Sequence, residues 1–230
     1  MCFTPAISLS TAIIEFILVI FLFILFKKST LRNFFAIFIF ILGFYQFTEF
    51  MLCIYSNPFF WARVGFATYS LLPAVALHSV LVFLKKERPI LWLYAIPFIA
   101  ILIAFFHPNF ISNVSCNSVF ISAKNILVIG GNSLTRLFFS LYVTYYAGFV
   151  ALVLYLCSRD IRKQKDRNKK GVDLILMIGI LLMTIPTFIL MSLVPALGGM
   201  FPSVLCEFAL LVAICVFISA YLNDKSKNRV

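Results

Sequence analysis

The chain alternates between long apolar runs and short polar connections. Seven runs are long enough to cross a bilayer, because a hydrocarbon core roughly 30 Å thick needs about 20 residues at the α-helical rise. None of the runs alternates between polar and apolar positions as a barrel strand does. The sequence therefore predicts an all-α membrane protein, a single domain built as a seven-transmembrane helix bundle with spans Ser8–Phe26, Phe34–Ile54, Ala62–Leu84, Ile90–Phe106, Leu134–Cys157, Leu174–Val194 and Ser203–Leu222.

The composition also indicates a membrane environment. Hydrophobic residues make up 63% of the 230 residues and charged residues only 12%. One soluble core cannot bury that much apolar surface, because a folded domain of this size also needs a polar exterior. We therefore expect the lipid bilayer to be the main partner of the chain.

The lysines and arginines orient the predicted bundle. There are 19, and all except Arg63, Lys124 and Arg136 fall after the first, third and fifth runs or in the tail. Basic connections mark the cytoplasmic side, so we expect the N-terminus outside, the C-terminus in the cytoplasm and a multi-pass protein of the plasma membrane. The net charge of +11 then comes from juxtamembrane clusters. We expect no nucleic acid as partner, since no aromatic residues interleave the basic connections to stack on bases.

The connection between the fourth and fifth runs has its own pattern. The segments Val119–Ser122 and Ile126–Ile129 alternate in polarity and flank Ala123–Asn125. Such a pattern predicts a short β-hairpin on the outer side of the bundle.

Five ionisable residues lie inside the predicted spans, within roughly the outer 10 Å of the hydrocarbon. They come from five different helices: Glu15, Glu49, Arg63, Arg136 and Glu207. Facing lipid would cost each charge a few kcal/mol, so each is expected to face the bundle interior, a cavity or an opposite charge. Glu49 with Arg63 and Glu207 with Arg136 are the natural pairs, which leaves Glu15 without a cation.

This outer charge layer has two interpretations. It is either a set of salt bridges that tie helices together, or an outward-facing pocket for a small ligand. The pocket walls would then be Tyr45, Gln46, Tyr142, Tyr145 and Tyr146. The carboxyl of Glu15 would either be protonated or await a cationic ligand or ion.

Three residues within the spans indicate where helices could move. Pro73 removes a backbone hydrogen bond halfway along span three and should kink or loosen it. Pro186 should loosen span six in the same way. His78 is expected to hydrogen bond another helix rather than a metal, because His107, the other histidine, lies on the opposite side.

Motifs for catalysis are absent from the sequence. There is no glycine-rich phosphate loop, no HExxH and no nucleophile elbow. We therefore predict that the chain is not an enzyme and carries neither a cofactor nor a metal.

Several segments together resemble a known family. They are Trp61–Gly65 leading into Leu71–Phe83, the His107–Asn109 that closes span four, the basic connection before a proline-bearing span six, and the closing Tyr221–Asp224. Their order and spacing are similar to the N-terminal seven-transmembrane sensor region found ahead of bacterial and archaeal histidine kinases and diguanylate cyclases.

The resemblance implies a receptor-like bundle of the two-component type. Such a bundle senses an extracellular or intramembrane cue and passes a helix movement to a cytoplasmic partner, with Pro73, His78 and Pro186 in the transmitting helices, and it is expected to act as a homodimer. No phosphoacceptor histidine or cyclase motif follows span seven, so the family's enzymatic activity is not carried over. The loop Arg159–Lys170 and the C-terminal tail are the expected contacts for a signalling partner.

Two other functions remain open at this point. In a small transporter or channel subunit, Glu15 would be an ion-coupling carboxylate. In a membrane scaffold, the polar layer would only pack helices together.

Overall fold

The computed structural model describes residues 5–85, 91–116, 121–125, 133–193 and 208–227. These residues include seven α-helices: α1 Pro5–Leu25, α2 Thr30–Ile54, α3 Pro58–Phe83, α4 Ala95–Phe106, α5 Ser133–Lys163, α6 Arg167–Leu193 and α7 Ala209–Lys227. A 3-10 helix, Leu91–Tyr94, leads into α4. Five helices, α1, α2, α3, α5 and α7, are long and apolar enough to span a membrane, and α4 with its 3-10 turn is a shorter apolar segment. The chain is thus a helical bundle compatible with a membrane.

Neighbours in sequence are neighbours in space. Helix α1 packs on α2, α2 on α3, α3 on both α4 and α5, α5 on α6, and α6 on α7, which returns to α1 and α2. The short connections favour antiparallel pairs. Ser29 and Asn57 begin α2 and α3 by accepting hydrogen bonds from the backbone N–H groups of Arg32 and Phe60. The described helices therefore form a closed ring in chain order.

One end of this ring collects the basic residues. The ring of Phe26, directly after α1, lies 5.4 Å from that of Phe217 on α7. In the connection between α5 and α6, the Asp166 carboxylate accepts a hydrogen bond from the Ser226 hydroxyl at 2.7 Å. These contacts place the predicted cytoplasmic connections around the C-terminal end of α7. We call this end the basic end and the opposite one the far end.

The basic segment Arg159–Lys170 differs from the predicted loop. Helix α5 runs to Lys163 and α6 begins at Arg167, so only residues 164–166 connect them. Lysine, arginine and glutamine are good helix formers, and a search for apolar runs does not register them. The predicted loop Arg159–Lys170 therefore consists mostly of the ends of two helices.

The loop after α4 contains a two-stranded antiparallel ladder, but not the predicted hairpin. Its strands are Ile111–Cys116 and Ile121–Asn125, with Asn113 opposite Lys124 and Cys116 opposite Ile121. The predicted turn Ala123–Asn125 therefore lies within the second strand. Alternation of polarity shows which residues share a face of a strand but does not choose the partner strand or its register. The predicted segments at residues 119–120 and 126–129 fall outside the described residues.

The two tryptophans lie toward opposite ends of the bundle. At the far end, Trp61 makes edge-to-face contacts with Phe47, Tyr55 and Phe60, with ring centroids 5.6 to 6.4 Å apart. Trp92 precedes α4, is 66% exposed and touches the ring of Phe149. Amphipathic aromatic rings are typical of both membrane interfaces.

Candidate functional site

Glu49 on α2 is buried and hydrogen bonded. The Tyr45 hydroxyl, one turn away on the same helix, donates to its Oε1 at 2.9 Å. The Tyr45 ring also meets Tyr69 of α3 edge to face, with centroids 5.7 Å apart. Glu49 thus belongs to a hydroxyl-rich contact between α2 and α3.

A second set of hydroxyl groups joins α3 to α5. The Ser70 Oγ and the Tyr142 hydroxyl lie 2.7 Å apart, and the Tyr145 hydroxyl donates to the Ser70 carbonyl at 2.8 Å. The ring of Tyr146 lies 6.3 Å from that of Tyr142. We call the whole group the tyrosine cluster: Tyr45, Glu49, Tyr69, Ser70, Tyr142, Tyr145 and Tyr146.

The cluster brings together most of the predicted pocket wall. Four of its tyrosines and Glu49 were expected there, and Gln46 is buried nearby on α2. Tyr69 and Ser70 were missed. The spacing of the sequence could have indicated them: residues three and four apart share one face of a helix, and Phe66, Tyr69, Ser70 and Pro73 have this spacing.

Pro73 lies directly beside the cluster. Helix α3 continues through it, although the missing N–H leaves the carbonyl of Tyr69 without its helical partner. The Ser70 carbonyl is the next acceptor along the helix, and it receives the Tyr145 hydroxyl from α5. A side chain of α5 therefore supports α3 at its proline.

Arg63 does not pair with Glu49, contrary to the prediction. Its guanidinium donates to three backbone carbonyls, those of Phe105 at 3.3 Å, His107 at 3.2 Å and Pro108 at 2.7 Å. The last carbonyls of a helix have no intrahelical partner, which makes the end of α4 a strong acceptor for a nearby guanidinium. Arg63 thus fastens the loop after α4 to α3.

The same loop reaches the tyrosine cluster through Phe66. The Phe66 ring packs against the fully buried Phe110 at 4.8 Å and stacks on Tyr142 at 5.5 Å. One side chain of α3 therefore contacts both the loop and the cluster.

His78 makes the predicted hydrogen bond to another helical segment. Its Nδ1 lies 2.9 Å from the Tyr94 hydroxyl at the start of α4, and its ring lies 4.2 Å from that of Phe34 on α2. His78 thus links the ends of three helical segments.

The other predicted site residues do not join the cluster. Glu15 is buried on α1, where it faces Gly43 of α2. Arg136 is exposed on α5, and Pro186 is partly buried within an unbroken α6. Glu207 lies outside the described residues, and with it the predicted pairing to Arg136. The layer of five charges is therefore not one assembled pocket in the part of the chain that the structure describes.

A separate cavity of about 40 Å³ lies nearer the basic end. Five helices line it with mainly apolar side chains, including Phe38, Val80, Val153 and Ile180, and with the free thiol of Cys215. This space could hold little more than a few water molecules.

No protein-family model matches the chain, and no significant match was found to a curated protein or to a solved structure. The function must therefore be argued from the geometry of the bundle itself.

Proposed function

We propose that the chain is a seven-span membrane sensor or receptor module of the plasma membrane, with its N-terminus outside. It detects an extracellular or intramembrane cue and signals to a cytoplasmic output partner. The observation that carries this proposal is the series of contacts along α3. The contacts run from the loop at the far end, through the tyrosine cluster, to the basic end.

The series begins at Arg63, which holds the loop after α4, and at Phe66, which touches that loop through Phe110. It continues at Ser70, which α5 contacts with two tyrosine hydroxyls. Pro73 and His78 follow on the same helix, and His78 reaches the start of α4. A ligand that displaces a hydroxyl at Ser70 would therefore act on α3 next to its proline.

A ligand that bonds both hydroxyl groups of a pair can replace the bond between them without leaving either group unsatisfied. A small polar or aromatic ligand could take over the bonds of Tyr142 and Tyr145 and stack on their rings. Helix α3 would then have two arrangements, one with and one without the hydrogen bonds from α5 at Ser70. A switch requires such a two-state element. The basic helix ends within Arg159–Lys170 and the tail are the proposed contacts for the output partner, and a homodimer is the proposed assembly.

The proposal can be tested by a thermal-shift screen of the purified protein against small molecules and ions. A ligand that binds only the folded state stabilises it by about 2.7 kcal/mol at a hundred times its dissociation constant. Tyr142→Phe removes only the hydroxyl that meets Ser70. Tyr155→Phe on the same helix, where the ring is exposed, is the matched control.

A compound that stabilises the native protein and Tyr155→Phe, but not Tyr142→Phe, would support the sensor function. If no compound raises the melting temperature and Tyr142→Phe only melts earlier, the cluster packs helices and the scaffold function is favoured instead.

A further inference from the structure

Glu15 is enclosed between α1 and α2. It is fully buried, whereas Ile13, Ile14 and Ile17 around it are 43 to 48% exposed on the side of α1 that faces away from the bundle. A methyl group added at Gly43 of α2 would lie 3.1 Å from the Glu15 Cβ, so the two helices approach closely there. The carboxyl group therefore faces the bundle rather than lipid.

Among the described residues, the Glu15 carboxyl group has no partner. Both of its oxygens are buried without a hydrogen bond, and no charged group of the described residues interacts with it. On α2, the nearby titratable groups Tyr45 and Glu49 bond to each other. On α7, Tyr221 contacts α1 at Phe26, eleven residues further along and roughly 16 Å away at the helical rise.

A carboxylate in this position needs a positive charge. An ionised group without water or a partner costs several kcal/mol in a protein interior or a bilayer. A metal cation such as Na⁺ or Ca²⁺ requires several oxygen ligands. In the described part of the chain, no group of three or more His, Cys, Asp or Glu side chains that could hold a metal ion includes Glu15. A proton neutralises the group without any further ligand.

We propose that Glu15 is a proton-binding site, a carboxyl group held neutral within the contact between α1 and α2. Release of its proton requires water or a base to reach it, which requires the helices to separate near Gly43. Separation of α1 from α2 is thereby coupled to the exchange of one proton. This site lies apart from the tyrosine cluster and does not depend on the sensor function.

The native protein in liposomes can be tested with dicyclohexylcarbodiimide, an apolar reagent that adds to protonated carboxyl groups. Trypsin releases residues 1–27, in which Glu15 is the only acidic side chain, and residues 33–63, in which Glu49 is the only one. Mass spectrometry of the reduced peptides then assigns the adduct. We expect labelling of the first peptide, with a loss of about tenfold per pH unit once the carboxyl ionises. Replacing choline chloride by NaCl at equal concentration should leave the labelling unchanged.

Two results would overturn the proposal. Absence of the adduct on residues 1–27 at every pH would mean that the carboxyl is never both neutral and reachable, and therefore exchanges no proton. Suppression of the adduct by Na⁺ would make a metal cation, not a proton, the occupant. Glu15→Gln supplies the matched neutral variant: it should abolish labelling of residues 1–27 and leave that of residues 33–63 unchanged.

Discussion

The guanidinium of Arg63 shows how a single side chain can fix a loop through backbone carbonyls alone. Its two terminal nitrogens donate to three carbonyl oxygens, and its Nε is buried. Carbonyls at a helix end carry the partial negative charge of the helix dipole, so they attract a nearby cation.

We predict that Arg63→Ala lowers the free energy of unfolding by about 1–2 kcal/mol, because three carbonyl acceptors at the end of α4 lose their charged donor. The loop around His107 and Pro108 should at the same time exchange its amide hydrogens faster. Melting curves and hydrogen exchange followed by mass spectrometry measure the two effects. Arg136→Ala is the control, since this arginine is exposed and should change neither quantity.

Gly43 allows the close approach of α1 to α2. A Cβ there would lie 3.1 Å from the Glu15 Cβ and 3.1 Å from the Phe16 ring. The Glu15 Cβ is attached to the backbone of α1, so it cannot move aside without moving the helix. Gly43→Ala should therefore lower the free energy of unfolding by about 1–2 kcal/mol despite the better helix propensity of alanine.

Gly148→Ala on α5 is the matched control for Gly43→Ala. Nothing lies within 4 Å of a Cβ at Gly148, so alanine there should be neutral or stabilise by up to about 1 kcal/mol. Equal effects of the two substitutions on chemical denaturation would contradict a tight contact at Gly43.

At the scale of elements, the junction of α5 and α6 contains a buried acid. Asp173 directly precedes the predicted sixth span, and neither of its buried oxygens accepts a well-formed hydrogen bond. Burial, followed by the charge of Asp160, raises the pKa of Asp173 to about 7. In contrast, the hydrogen bond from the Ser226 hydroxyl, followed by that from the backbone N–H of Asn168, lowers the pKa of the partly exposed Asp166.

We predict that the melting temperature falls as the pH rises from about 4 to about 7. In this window the folded state holds a proton on Asp173 that the unfolded state has lost, so each step up in pH favours unfolding. Asp173→Asn, which stays neutral, should flatten the profile and melt later than the native protein at pH 8. Melting curves across this range measure both effects.

Asp166→Asn is the control with the opposite sign. Because the pKa of Asp166 is lower in the folded state, this carboxylate stabilises the fold above the ordinary pKa of an aspartate. That stability is lost as the pH falls. Removal of Asp166 should therefore leave the decline between pH 4 and 7 in place. A decline that survives Asp173→Asn would contradict the assignment.

At the scale of the whole molecule, the basic end predicts the orientation in the membrane. Lys27, Lys28, Arg32 and Lys85 join the helix ends of Arg159–Lys170 on that end. By the positive-inside rule, a fluorescent protein fused to the C-terminus should fluoresce in cells, and an alkaline phosphatase fused there should be inactive. The same reporters inserted between α2 and α3, at residues 55–57, should give the reverse result. An active phosphatase on the C-terminus would invert the whole proposed topology.

The sequence predicted the helices better than their ends. Long apolar runs located the seven helices of the described residues, but α5 and α6 extend into charged residues that no hydropathy pattern reports. The ladder after α4 was expected in the right loop but with other strands, since alternation does not specify a partner.

The candidate site was predictable in its residue types but not in its contacts. The sequence shows that Glu15 lacks a cation, and the structure leaves it without a partner. The sequence cannot show that Arg63 binds the carbonyls at the end of α4 rather than Glu49. That choice of partner depends on how α3 is rotated against α4. Ser70 was overlooked because a serine within an apolar run is uncharged, and the charged residues of the spans were the ones selected.

The two tryptophans at opposite ends of the bundle give this protein a built-in pair of optical probes. Trp61 is enclosed by aromatic rings, whereas Trp92 is mostly open to its surroundings, and the chain contains no other tryptophan. A polar quencher added outside sealed vesicles of uniform orientation would dim only the emission of the tryptophan on that side. Movement of either end of the bundle could therefore be followed without attaching any dye.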